Sequence, residues 1–178
     1  MRIGILGAGD MAQGLGAHWV KAGHEVKLSH RDESAEAAAF GDVILVAVPA
    51  EAVPEVLGAT DLAGKVLIDC TNAIIPGEWT VRTSMARRVA ELAPEAKVVK
   101  AFNLCHESVW KRQYPHKLVP ICGDDPSAIN LVKRLVADIG CTPAEAGPLS
   151  RAEVLEAAAA FVIGLSVAGF DPRAAVDM

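Results

Sequence analysis

The chain has no run of lysines or arginines, and its net charge is -5. Phosphate backbones select basic patches, so no nucleic-acid partner is expected. There is no Cys-x-x-Cys pair, and Cys70, Cys105, Cys122 and Cys141 form no Cys/His cluster at zinc-ligand spacing. No metal site is therefore expected. The cysteines read as small buried hydrophobes in a reducing compartment. No apolar stretch approaches the roughly 20 residues that span a bilayer. The longest, 157–170, is broken by Ser166. Residues 1–6 pass straight into a strand pattern without a long apolar leader core. A cytoplasmic chain with no membrane partner is expected. Only one tyrosine is present, Tyr114, and no Tyr-x-x-x-Lys pair exists. That argues against the proton relay of short-chain alcohol dehydrogenases.

Apolar residues make up 52% of the 178 positions, which excludes disorder and suits one well-covered core. Short apolar runs over 3–6, 25–29, 43–48, 65–69, 97–102, 118–122 and 142–146 read as strands. Stretches over 10–22, 33–40, 51–57, 80–92, 127–139 and 150–164 read as helices. Met11, Leu15, Trp19 and Val20 lie on or near one face of the first, and Gly23 ends it. Pro126 suits the first position of the 127–139 helix. Ser150 with Glu153 reads as a capping box for the last helix. This alternation predicts an α/β chain: a Rossmann-type, doubly wound, mainly parallel sheet with helices on both faces. A single dinucleotide-binding domain over 1–178 leaves no room for a separate substrate domain. The C-terminal helix, about 150–168, is apolar around much of its circumference. It is expected at a dimer or substrate interface, with a homodimer as the predicted state.

Gly7-Ala8-Gly9-Asp10-Met11-Ala12 matches G-x-G-x-x-A, follows a strand and opens a helix. Gly7 would allow the tight turn, Gly9 the approach of a pyrophosphate, and Ala12 close packing of helix on strand. The N–H groups near Asp10 and Met11 would then face phosphates at the positive end of the helix. Asp10 is a departure, because an inward acid repels anions. The expectation is that it caps the helix and points away.

An NAD site carries an acid at the end of the second strand. Here that position reads Ser29-His30-Arg31, with no acid before Asp32. A hydroxyl and a guanidinium suit a 2′-phosphate, so NADP(H) is the expected cofactor. His30 could stack on adenine or add partial charge. The competing reading is a solvated turn with Arg31 paired to Asp32 or Glu33. Ligands bind beyond the carboxyl ends of such strands. Those ends carry Val48-Pro49, Asn72, and Ala101-Phe102-Asn103. Pro49 could form an apolar shelf beside ribose or nicotinamide. Asn72 and Asn103 either pair with the cofactor or simply form turns. His106 is the best-placed acid–base candidate, although a surface or structural role is the stronger expectation.

Several stretches together, 3–12, 29–31, 43–49, 65–72, 98–103, 119–124 and 146–149, resemble the NADPH-dependent F420 reductase family. They are similar also to the cytoplasmic oxidoreductase domain of the STEAP metalloreductases. Val99-Lys100-Ala101-Phe102-Asn103 and Pro120-Ile121-Cys122-Gly123-Asp124 carry most of the likeness. The resemblance implies NADP(H) at Ala8–Ala12, Ser29–Arg31, Val48-Pro49, Asn72 and Ala101–Asn103. It also implies direct hydride transfer to a deazaflavin or flavin (F420, FMN or FAD), with no catalytic dyad. The second ring would stack near Pro49, Phe102 and the C-terminal helix. Two departures stand out. No basic cluster for the charged F420 tail is evident beyond Lys111, Arg112 and Lys117, and this chain carries no haem-binding membrane domain. The alternatives are an NADP-dependent reductase of a small carbonyl or imine, or an NADP(H)-binding sensor without turnover.

Overall fold

A computed structural model describes residues 1–112 and 116–175, except for the Arg31 side chain. β1 (Arg2–Leu6) leads through the glycine loop into α1 (Asp10–Lys21) and β2 (Glu25–Ser29). A 3-10 turn, Arg31–Glu33, and α2 (Ser34–Phe40) return the chain to β3 (Val43–Val46). The turn Ala50–Ala52 and α3 (Val53–Gly58) precede β4 (Val66–Asp69). A small hairpin of β5 (Ile74–Ile75) and β6 (Thr80–Val81) is followed by α4 (Met85–Leu92), β7 (Lys97–Lys100) and the short α5 (Glu107–Trp110). Next come β8 (Leu118–Gly123), α6 (Pro126–Asp138), β9 (Thr142–Gly147), a turn at Leu149–Arg151 and α7 (Ala152–Val167).

The main sheet runs in the order β2-β1-β3-β4-β7-β8-β9. The first five are parallel, β8 is antiparallel to β7, and β9 is parallel to β8. The expected mainly parallel, doubly wound sheet is therefore the one observed. β1 has β2 on one side and β3 on the other, which makes its carboxyl end the switch point where ligands bind. The register aligns the strand ends: Ser29, Leu6, Val46, Asp69 and Lys100 form one row across the sheet. Everything that follows these residues emerges along one edge.

Each face of the sheet is sealed by helices. Ile3, Ile5, Leu45 and Val99 pack with Leu15 and Trp19 of α1 and Val132 of α6. Leu6, Val46 and Leu67 pack on the opposite face with α2, α3 and α4. β3 has all four residues fully buried, as a strand covered on both faces requires. The Trp19 indole donates to the Leu135 carbonyl at 3.0 Å. Among the described residues no helix is long and apolar enough to cross a membrane.

Several local expectations change. Val20 is 57% exposed, because one residue past Trp19 turns about 100° away from the core. The helix expected from residue 80 starts at Met85, where the Ser84 hydroxyl accepts the Arg87 N–H. Thr80 and Val81 instead pair with Ile75 and Ile74. The expected strands over 43–48 and 97–102 end at Val46 and Lys100. The last helix starts at Ala152, and residue 150 lies inside the preceding 3-10 turn, so Ser150 caps nothing and forms no capping box with Glu153.

Candidate functional site

The glycine loop is built from two different constraints. Gly7 has φ +127°, and a Cβ there would lie 2.3 Å from the Ala47 carbonyl oxygen. The fold itself demands glycine at that position. Gly9 has φ −73° and ψ −178°, open to any residue. A Cβ on Gly9 would meet no protein atom within 4 Å. Nothing in the fold requires glycine there; its bare Cα faces open space at the N-terminus of α1. That is the arrangement a pyrophosphate needs, with backbone N–H groups exposed and no side chain in the way. Ala12 is fully buried against the sheet, as close helix packing requires. The Ala8 carbonyl accepts from the Gln13 amide at 2.7 Å, which holds the loop.

Two expected roles at this end are corrected. Gly9, not Asp10, is the N-cap, and it makes no side-chain cap bond. Asp10 is the first helical residue, and its carboxylate pairs with Lys111 at 2.8 Å. Its charge is thus offset by a neighbouring cation. Ser29 is 1% exposed. Its hydroxyl donates to the Ile5 carbonyl at 3.2 Å and accepts from the Gly7 N–H at 3.4 Å. The serine expected to bind a 2′-phosphate instead braces the glycine loop, because its hydroxyl is occupied inside the sheet. His30 is exposed at the end of β2, and its backbone N–H donates to the Glu33 carboxylate at 3.2 Å. Arg31 opens the turn immediately after β2.

Past the loop lie two adjoining hollows. The smaller, about 300 Å³, is lined by Gly9, Asp10, Ala47 and Val48, among others. The larger, about 580 Å³, is lined by Asn72, Asn103 and His106 on the sheet side, and by Ala159, Val162 and Ile163 of α7 on the other. Met11, Cys70 and Glu107 line both. Pro49 lines neither; it is exposed, and its carbonyl accepts the Ala52 N–H at 2.9 Å.

The two asparagines are tied to one another. Asn72 Nδ2 donates to the Asn103 carbonyl at 2.9 Å, and Asn103 Nδ2 donates to Asn72 Oδ1 at 3.0 Å. The pair clamps the chains leaving β4 and β7. Ala101 and Phe102 do not join them, since both are buried. Phe102 has φ +66°, and its ring sits edge-on between Trp19, at 5.8 Å, and Trp110, at 5.5 Å. The ring expected beside a second cofactor is instead core. A left-handed turn is strained for so bulky a residue. Here it sends the ring into the core while Asn103 enters the cleft.

Cys70 cannot serve as a nucleophile. Its thiol donates to the Val46 carbonyl at 3.1 Å, and burial, with Asp69 nearby, pushes its pKa up to about 12. His106 caps α5: its Nδ1 accepts the Ser108 N–H at 3.3 Å, and its Nε2 lies 3.1 Å from the Glu107 carboxylate. His18 and His24 are structural, bonded to the Trp110 carbonyl and to Asp138 respectively. Tyr114 lies outside the described residues.

Beneath the larger cleft is a cluster that the motif reading missed. Lys100 is fully buried and donates to Asp69 at 2.8 Å, to Glu156 at 2.7 Å and to the Thr71 carbonyl. Asp69 also accepts the Thr71 N–H at 2.9 Å and the Thr71 hydroxyl at 2.6 Å. Glu156 accepts the first N–H groups of α4, from Met85 at 3.0 Å and Ala86 at 3.1 Å. One ammonium thus joins the ends of β7 and β4 to α7, the helix on the far wall of the cleft. A lysine inside the apolar run of β7 was the available signal.

The sequence and the fold have counterparts. The sequence model of the family described as NADP oxidoreductase coenzyme F420-dependent matches residues 2–37 and 30–73. The metalloreductase STEAP3 of Rattus norvegicus is 34% identical, over 88% of this chain and 36% of that protein. The chain therefore spans about a third of the length of that relative. A crystal structure of a putative F420-dependent NADP-reductase from Arthrobacter sp. FB24 superposes with a TM-score of 0.76 at 19% identity, covering 94% of this chain and 95% of that one. A reductive aminase from Aspergillus terreus, in complex with NADPH and ethyl-5-oxohexanoate, gives a TM-score of 0.72 at 19% identity, covering 94% of this chain and 63% of that one. The resemblance read from the motifs stands: the chain is similar, in sequence and in fold, to NADP-dependent oxidoreductases.

Proposed function

We propose that the chain binds NADP(H) along the carboxyl edge of β1, β3 and β4 and passes hydride between its nicotinamide and a second planar ring. That ring, a deazaflavin (F420) or a flavin (FMN or FAD), would lie in the cleft beneath α7. The observation that carries this reading is the pair of hollows meeting at Met11, Cys70 and Glu107. A dinucleotide laid from Gly9 across the switch point would deliver its nicotinamide to that junction. The larger hollow beyond it is walled on one side by apolar side chains of α7, which suit the face of a flat aromatic ring.

Bound NADPH would supply a hydride, and the ring acceptor would take that hydride together with a proton from water. The chain's own contribution is alignment. The glycine loop holds the phosphates, Val48 borders the sugar, and the asparagine clamp fixes the floor of the cleft. No general acid is required. Cys70 stays protonated and Lys100 is fully engaged, which fits a reaction without a dyad. The preference for the 2′-phosphate rests on Arg31 at the end of β2 and on the lack of an acid there. Val154, Phe161 and Val167 of α7 are exposed, and the reading includes a second copy of the chain over this apolar surface.

Anaerobic rapid mixing of protein and NADPH with F420, FMN, FAD and a ferric chelate in turn tests the proposal, followed by loss of reduced-nicotinamide absorbance. Rapid oxidation by one ring acceptor is expected, at least about tenfold slower with NADH. Oxidation only by a small imine or carbonyl would favour the alternative that the likeness to the reductive aminase suggests. Binding without turnover on any acceptor would point to a sensor.

A further inference from the structure

Glu107 is one of three residues, with Met11 and Cys70, that line both hollows. It is the first residue of α5, its side chain is 35% exposed, and it lines both spaces. Its partner is His106, whose Nε2 lies 3.1 Å away. The His106 Nδ1 faces Ser108, whose N–H it accepts at 3.3 Å, and this leaves Nε2 toward the Glu107 carboxylate, which it orients. The other acid at the smaller hollow, Asp10, is closed by Lys111 at 2.8 Å. Among the described residues lining the two hollows there is no lysine or arginine. A carboxylate with no lysine or arginine beside it therefore sits where the two reacting rings would meet.

We infer that Glu107 sets the redox preference of the bound nicotinamide. The inference rests on the NADP(H) reading above. A reduced nicotinamide ring is neutral, and loss of its hydride leaves a pyridinium with one positive charge. A carboxylate fixed within several ångströms attracts only the oxidised form. The interaction is strengthened because α7 shields one side of the cleft from water. Glu107 thus holds NADP+ more tightly relative to NADPH and makes the bound reduced ring the better hydride donor. It favours hydride flow from NADPH to the acceptor. The same charge disfavours an acceptor that brings an anionic group to the junction.

The test is equilibrium binding of NADPH and NADP+ to the wild-type protein, Glu107→Gln and Glu107→Asp, each in the absence of any acceptor. Glu107→Gln is expected to weaken NADP+ about tenfold while leaving NADPH within about twofold. Glu107→Asp keeps the charge and should restore most of the wild-type ratio. High salt should shrink the difference between wild type and Glu107→Gln. An unchanged ratio of the two affinities in Glu107→Gln, with both nucleotides still bound, overturns this inference alone. Failure of the wild-type protein to bind either nucleotide overturns the NADP(H) reading, and the inference with it.

Discussion

Lys100→Met is expected to cost about 3–5 kcal/mol of folding stability, enough to unfold a marginal domain. The substitution keeps the bulk of the side chain and removes the ammonium. Asp69 and Glu156, both fully buried, would then face each other's surroundings without a counter-charge. The Thr71 carbonyl would lose its donor as well. Glu156→Gln is expected to cost less, about 1–3 kcal/mol, because one amide oxygen can still accept from α4. Urea denaturation without nucleotide measures both. A loss below about 1 kcal/mol for Lys100→Met would mean the cluster holds nothing together. Burial works against the Lys100 charge, but the two carboxylates outweigh it and hold the ammonium above its usual 10.5. A cation whose pKa is raised on folding stabilises fully below its unfolded value and is lost as pH rises through the folded one. The contribution of the Lys100 charge should therefore be intact across neutral pH and fade as pH rises into strong alkali.

Gly9→Val is expected to weaken NADPH by 100-fold or more, roughly 3 kcal/mol, with the fold intact. Its backbone is already extended, and the new Cβ meets only open space. The branched methyls would occupy the space where the pyrophosphate must approach. Gly7→Ala should behave in the opposite way. At φ +127° and 2.3 Å from the Ala47 oxygen, it should cost a few kcal/mol of stability before any ligand is added. Comparing melting and nucleotide titration for the two variants separates the glycine the fold needs from the glycine the ligand needs. Equal loss of stability in both variants would remove that distinction.

How far the sequence foretells these features depends on how local each one is. The βαβ rhythm, the G-x-G-x-x-A loop and the residues at the strand ends are local patterns. The mainly parallel sheet and the edge that carries Asn72 and Asn103 follow from them, whereas the strand order and the antiparallel β8 do not. The cap of α1 is not local, because Asp10 and Gly9 are both adequate N-caps. Its outcome turns on Lys111, a hundred residues away in the chain. Ser29 sits at the right strand end for a phosphate ligand, yet the parallel register with β1 points its hydroxyl at Ile5. Phe102 follows its strand pattern up to a left-handed turn that no propensity foretells. The Thr80–Val81 strand is only two residues long, too short for a period to register. Glu156 reads as one polar position in an alanine-rich helix until α7 is laid across the ends of β4 and β7. Glu107 likewise gains its significance only when α5 is folded against the glycine loop.

Which nucleotide this edge of the sheet selects is the central question. Titration of NADPH and NADH into the wild-type protein and Arg31→Ala measures it. The expected result is tight NADPH binding and weak NADH binding in the wild type. Arg31→Ala should then lose about 10- to 150-fold for NADPH, 1.5–3 kcal/mol, and barely change for NADH. Equal losses for the two nucleotides, or a wild-type preference for NADH, would contradict it.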